Sequence, residues 1–215
     1  MSFFDWARTL ASSAPAPLVD PAPDIKAELE PFEGPLGHAP GSGDIPRNRT
    51  EVYARFGNPG VGKVDPKWER ANMVVARGLP GGWNKGAGKL YVHRLAEPYL
   101  REALRRCLLL TFVDAETRAP FEEIDTIGCF CFRHQRHDPS RPLSYHSWGI
   151  AVDINSPDNA GWYEKDPPAP YSNEWRLHYP RGISAGVSRA FESCGWKWGG
   201  RWKGFVDPMH FELTA

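Results

Sequence analysis

The stretch Ser144-Tyr-His-Ser-Trp-Gly-Ile-Ala-Val-Asp153, taken with Asp207-Pro-Met-His-Phe-Glu212, decides how this chain is read. Between them the two segments set two histidines and two aspartates among strand-forming residues. A catalytic zinc takes three protein ligands from His, Asp or Glu and keeps a fourth position for water. The candidate set is His146, Asp153 and His210, with Asp207 three residues ahead of the last ligand. In a straight strand His146 and Asp153 stand about 23 Å apart. In a helix they share a face but lie about 10 Å apart along the axis. Donor atoms on one ion are only about 3 Å apart, so a shared metal requires a bend, and Gly149 permits one. Strand parity then sends Trp148, Ile150, Val152 and Ile154 into the core and leaves Gly149, Ala151 and Asp153 on the opposite face. The same parity packs Met209, Phe211 and Leu213 inward and turns His210 and Glu212 to the cleft. Pro208 keeps Asp207 out of helical geometry, within reach of a water on the metal rather than of the metal itself. Singly, each residue has a plainer role, such as ending a strand; two segments that meet both parity and ligand chemistry point to a site.

Around these segments the pattern is mixed. Thr50 is placed to cap a short helix over 51–56 that Gly57 ends. Residues 89–95 alternate as a strand, with Leu90 and Val92 on one face and Tyr91 and His93 on the other. A helix is expected over 96–110, burying Leu100, Ala103, Leu104, Cys107 and Leu108 and turning Arg101, Glu102, Arg105 and Arg106 outward. A strand over 124–133, a polar loop carrying His134 and His137, and a Pro-rich insertion to about Pro180 follow. Ser184 caps a second helix that ends at Gly195, with Val187, Ala190, Phe191 and Cys194 on its buried stripe. Aromatic strands over 196–198 and 209–213 close the domain. Strands and helices without a βαβ rhythm give an α+β fold with a mainly antiparallel central sheet flanked by helices.

At 215 residues the chain suits one core, not two. Pro and Gly number 21 each, which rules out a helical bundle and calls for long loops. Lys+Arg and Asp+Glu cancel at 26 each, so no field favours a polyanion and no nucleic-acid partner is expected. No membrane span is present in the sequence, and a monomer is expected. Residues 1–14 read as a short amphipathic helix carrying Phe3, Trp6 and Leu10, not as a signal peptide, because no basic residue precedes the apolar part. Synthesis in the cytoplasm is therefore expected. Residues 13–50 hold eight prolines and read as a linker or an extended arm ahead of a catalytic domain over 51–215. Cys107, Cys129, Cys131 and Cys194 lack paired CxxC spacing and read as buried free thiols. Six of the nine tryptophans fall after residue 147, where they either anchor the core and loops or line a glycan-facing rim.

Ser144-x-His146-x-x-Gly149-x-Ala151-x-Asp153, Trp198-Gly-Gly-x-Trp202 and Asp207-x-x-His210-Phe211 together resemble the LAS-type zinc peptidases of bacterial cell-wall peptides. These are the D-alanyl-D-alanine carboxypeptidases and L-alanyl-D-glutamate endopeptidases, including phage endolysins, with a fold shared by lysostaphin and the hedgehog signalling domain. The resemblance spans residues 88–213 and implies one Zn2+ on His146, Asp153 and His210, with Asp207 as general base. It also implies an arginine on the preceding strand, matched by Arg133, which either stabilises the oxyanion or grips a substrate carboxylate. Ser144, Glu212 and Trp202 are candidates for orienting ligands or lining the substrate groove. The implied activity is hydrolysis of peptidoglycan stem peptides. Aspartate rather than glutamate at 207 resembles the L-alanyl-D-glutamate endopeptidases. The competing readings are a D-Ala-D-Ala carboxypeptidase or DD-endopeptidase, and a non-catalytic wall-binding or virion module.

Overall fold

The computed structural model describes residues 45–79, 90–113, 124–179 and 182–214. The chain divides into two compact units, Met1–Glu30 and Pro31–Ala215, and every described residue belongs to the second. The helix expected over 1–14 and the arm over 13–50 lie outside the described residues, apart from 45–50, where Ile45 is buried.

Helix α1 (Arg49–Phe56) begins at Asn48, not at Thr50. The Asn48 side chain accepts the Glu51 N–H (3.0 Å), and the Glu51 carboxylate accepts in return from the Arg47 N–H and the Asn48 side-chain amide (both 2.9 Å). That reciprocal pair outcompetes a lone threonine for the first orphan amides. A tight hairpin of β1 (Gly60–Val61) and β2 (Lys63–Val64) leads to α2 (Pro66–Asn72), capped by Asp65. Strand β3 (Met73–Val75) then pairs antiparallel with β4 (Tyr91–His93). His93, on the strand face opposite Val92, is buried as well, because Phe56 and Trp68 cover its ring at 4.8 and 6.0 Å.

Helix α3 (Glu97–Val113) buries Leu100, Ala103, Leu104 and Cys107, as its periodicity predicts. Arg106 departs from the expectation: it is buried, with Nε on Glu102 (2.9 Å) and Nη1 on the Ser193 hydroxyl (2.8 Å). Satisfied donors make such burial tolerable. Of the strand expected over 124–133, only β5 (Ile127–Gly128) pairs. Beyond it the backbone bonds to a turn instead, the Cys131 N–H donating to the His146 carbonyl and the Arg133 N–H to the Ser147 hydroxyl.

After β6 (Ala151–Ile154), the Pro-rich insertion holds elements beyond the expected loop, among them β7 (Trp162–Glu164) and α4 (Asn173–His178). Ser172 caps α4, and β7 owes its form to a partner forty residues onward, a pairing that local propensity does not reveal. Helix α5 (Ala185–Glu192), capped by Ser184, packs against α3 and is followed by β8 (Lys197–Trp198), β9 (Gly204–Val206) and β10 (His210–Glu212).

The α+β fold is organised on a four-stranded sheet of order β5-β6-β10-β8, all antiparallel. Its inner face carries Val152, Ile154, Phe211 and Trp198, all buried, with the Phe191 ring of α5 at 4.6 Å from Phe211. Trp148, Ile150, Trp196 and Leu213 extend the same core. Among the described residues, no helix is long and apolar enough to cross a membrane.

Candidate metal centre

The register of β6 on β10 sets Asp153 directly opposite His210, and Ala151 opposite Glu212. Cross-strand partners share a face, so both acids and the histidine project from the side away from the core. His146 arrives by a different route. It sits in a one-turn 3-10 helix, Tyr145–Trp148, whose first residue is preceded by Ser144, the hydroxyl of which accepts the His146 N–H (3.4 Å). Gly149 ends that turn at φ 65°, ψ 32°, two residues before β6, making the bend that a shared metal requires. A Cβ there would also lie 2.5 Å from Met73 Cε and 2.9 Å from the His93 amide nitrogen, so glycine is needed twice over.

Nε2 of His146, Oδ1 of Asp153 and Nδ1 of His210 converge. The separations are 3.2 Å from His146 to Asp153, 3.1 Å from His210 to Asp153 and 3.3 Å between the imidazoles. The outer nitrogens fix the tautomers. His146 Nδ1–H donates to the Cys129 carbonyl (2.6 Å), and His210 Nε2–H donates to the Glu212 carboxylate (3.1 Å), which in turn accepts from the Thr214 hydroxyl (2.7 Å). Both inner nitrogens of the neutral rings are then lone pairs, facing each other and an anionic oxygen. Three lone pairs at this spacing repel unless a proton or a cation sits among them. A tetrahedral zinc with bonds near 2.0 Å separates its ligands by about 3.3 Å, so the donor set fits such an ion, and these are the residues that group as possible ligands among the described ones.

Electrostatics agree with a cation-seeking site. Burial works against ionised Asp153, but the hydrogen bonds and charges of His146 and His210 outweigh it and hold the carboxyl far below its usual range. Burial likewise opposes protonated His210, yet the bonds to Asp153 and Glu212 outweigh it and raise its pKa to about 10.

Asp207 lies at the turn into β10. Its N–H donates to the Gly199 carbonyl and its own carbonyl accepts the His210 N–H (both 3.1 Å). Trp198 Nε1–H donates to the Pro208 carbonyl (2.7 Å). A Cβ on Gly199 would fall 2.5 Å from the Asp207 carbonyl oxygen, which explains the small residue in Trp198-Gly-Gly. Oδ1 of Asp207 is buried without a hydrogen-bond partner among the described residues, and burial raises the carboxyl pKa. The charges of His210, Asp153, His146 and Arg133 all reach it. Arg133 is half-buried, its N–H and carbonyl tied to Ser147 and Ser144, with no hydrogen bond from its guanidinium among the described residues. The half-buried Trp202 ring lies 5.3 Å from that of His210. Ser144, Glu212 and Trp202 thus all contact a candidate ligand.

His93, His134, His137 and His178 stay outside the cluster, and His38 lies outside the described residues. Cys107, Cys129 and Cys194 are buried and form no disulfide, but Cys131 is exposed, since its segment follows the 145–148 turn instead of entering the sheet. Trp148, Trp175, Trp196 and Trp198 are core residues, leaving Trp162 and Trp202 half-buried. Sequence reasoning missed the Cys129 carbonyl, for which no side-chain signal exists, and Thr214, which parity with His210 and Glu212 would have found.

Residues 137–213 match the family model described as D-alanyl-D-alanine carboxypeptidase. The matched segment runs from the loop after Arg133 through β10 and contains all three candidate ligands and Asp207. Comparison with curated proteins and with solved structures gives no match.

Proposed function

We propose that this chain hydrolyses peptide bonds in bacterial peptidoglycan stem peptides, with one Zn2+ held by His146, Asp153 and His210, and that its bond is L-alanyl-D-glutamate. The observation that carries the reading is the convergence of three lone pairs at 3.1–3.3 Å, together with a buried Asp207 oxygen that has no hydrogen-bond partner among the described residues. A divalent ion there supplies a Lewis acid for the scissile carbonyl and lowers the pKa of water from 15.7 towards about 7.

The chain's own residues do the rest. Asp207, made more basic by burial, accepts a proton from the attacking water at Oδ1 and returns it to the leaving amine. The Arg133 guanidinium, which makes no hydrogen bond among the described residues, offers a fixed positive charge to the oxyanion or two parallel N–H groups to a substrate carboxylate. Glu212 holds the His210 ring in the tautomer that presents Nδ1, and the Cys129 carbonyl does the same for Nε2 of His146. Aspartate at 207 supports the endopeptidase bond. The description of the matched family supports the second reading, removal of a terminal D-Ala.

Mass spectrometry of muropeptides digested with zinc-loaded protein tests both. New L-Ala carboxyl ends and D-Glu amino ends are expected. Loss of terminal D-Ala alone transfers the activity to the second reading, and intact muropeptides, with no clearing of cell walls in a gel, leave a wall-binding module instead.

A further inference from the structure

The loop that leaves Arg133 carries two consecutive non-glycine residues in the left-handed region, Arg136 (φ 55°, ψ 25°) and His137 (φ 57°). L residues persist in that region only where their surroundings hold them. The base of the loop is closed by the His134–Leu143 bridge and by the Gln135 N–H donating to the Pro142 carbonyl (2.9 Å). Within the loop His134 Nδ1 pairs with the Arg141 carbonyl, and Asp138 with Ser140 and Arg141; Arg136 reaches out of the loop to β7 and β9. The guanidinium lies 4.6 Å from the centre of the Tyr163 ring and 4.3 Å from that of Phe205, and Nη1 hydrogen-bonds the Tyr163 hydroxyl.

Tyr163 and Phe205 are directly opposed on β7 and β9, with rings 4.9 Å apart. Strand β9 ends at Val206, so the next residue is Asp207. One side chain therefore ties the segment that leaves Arg133 to the strand that delivers Asp207. The Arg133 guanidinium makes no hydrogen bond of its own among the described residues, so its place depends on the backbone that carries it. Arg136 is exposed, and an exposed arginine is ordinarily free to sample many rotamers; here two aromatic faces and a hydroxyl select one.

We infer that Arg136 is a positioning residue whose clamp on Tyr163 and Phe205 fixes the spacing of Arg133 and Asp207 across the cleft. The inference rests on the roles proposed above for those two residues. It assigns Arg136 no contact with substrate.

The test uses the full chain, zinc-loaded. Arg136→Ala is expected to lower kcat about 10- to 100-fold with KM within about twofold, because misplacement by an ångström costs rate more than binding. Metal content stays at the wild-type level. Tyr163→Phe, which keeps the ring, retains most of the rate, whereas Phe205→Ala reproduces the loss. Adding Arg136→Ala to Arg133→Ala costs much less than the product of the two single losses, since the first acts largely through the second. A wild-type kcat in Arg136→Ala, or losses that multiply in the double variant, would overturn the inference. Amide hydrogen exchange over residues 134–141 gives a readout independent of turnover: Arg136→Ala speeds it, and unchanged exchange refutes the clamp. Should the wild-type chain cleave no muropeptide, the proposed function fails while the exchange experiment still decides the clamp.

Discussion

On one face of the β6–β10 pair, Val152, Ile154 and Phe211 are fully buried against Trp198 and Phe191. One residue along the same two strands, Asp153, His210 and Glu212 stand on the other face and build the candidate centre. Backbone, register and hydrogen bonds are common to both; only the alternation of side chains separates core from site. The contrast shows how a polar cluster gains precision. Two of the three ligands are mounted on strands whose opposite face is packed hydrocarbon, so the register that buries Phe211 also sets Asp153 against His210. A slip of one residue would exchange the faces and lose both at once.

The comparison can be broken most severely from the polar side. Alanine at His146, Asp153 or His210 removes one of three ligands and is expected to reduce bound zinc to background and abolish turnover, while the fold survives. Phe211→Ala, on the other face, is expected to cost about 3–5 kcal/mol of stability yet to keep zinc and activity in the folded fraction. Elemental analysis beside denaturant unfolding separates the two outcomes, and equal zinc loss in both would erase the division of labour.

A smaller effect follows from Asp207→Ala. It is expected to keep the metal and lower kcat about 10²–10⁴-fold, the range of a lost general base; an active, zinc-loaded variant removes Asp207 from that role. Smaller still is Glu212→Ala, which frees the outer nitrogen of His210 and is expected to weaken zinc binding about 10- to 100-fold, read by competition with a chromogenic chelator. Thr214→Val removes only the hydroxyl bond to Glu212 and is expected to weaken it less.

The last test lies away from the site. Burial first, and the Arg94 charge second, push the pKa of His93 down to about 4 from 6.5. The unfolded chain therefore takes up this proton at a higher pH than the folded one. Stability from burying neutral His93 is complete above about pH 6.5 and is lost as pH falls towards 4, by about 3 kcal/mol in all. Chemical unfolding at stepped pH should show that slope in the wild type and a flatter one in His93→Asn.

Parity made much of this legible before any coordinates. The alternation in Trp148–Ile154 and in Met209–Leu213 separates inward from outward residues, and ligand chemistry restricts where His146 must turn, at Gly149. What stayed hidden depends on partners distant in sequence. The Cys129 carbonyl that fixes the His146 tautomer is backbone and leaves no mark in composition. Strand β7 exists because β9 pairs with it, and Arg106 is buried because Ser193 and Glu102 satisfy it. Asn48 displaces Thr50 as a cap through a reciprocal bond with Glu51 that spacing alone does not rank. Local patterns thus give the faces of each element, and the fold decides which elements meet.

The central claim is that His146 Nε2, Asp153 Oδ1 and His210 Nδ1 together hold one divalent cation. An anomalous difference map collected at the zinc edge from crystals of the metal-loaded protein tests it directly. The expected result is a single strong peak about 2.0–2.2 Å from all three atoms. No peak there, or zinc bound through cysteine sulfur elsewhere, would contradict it.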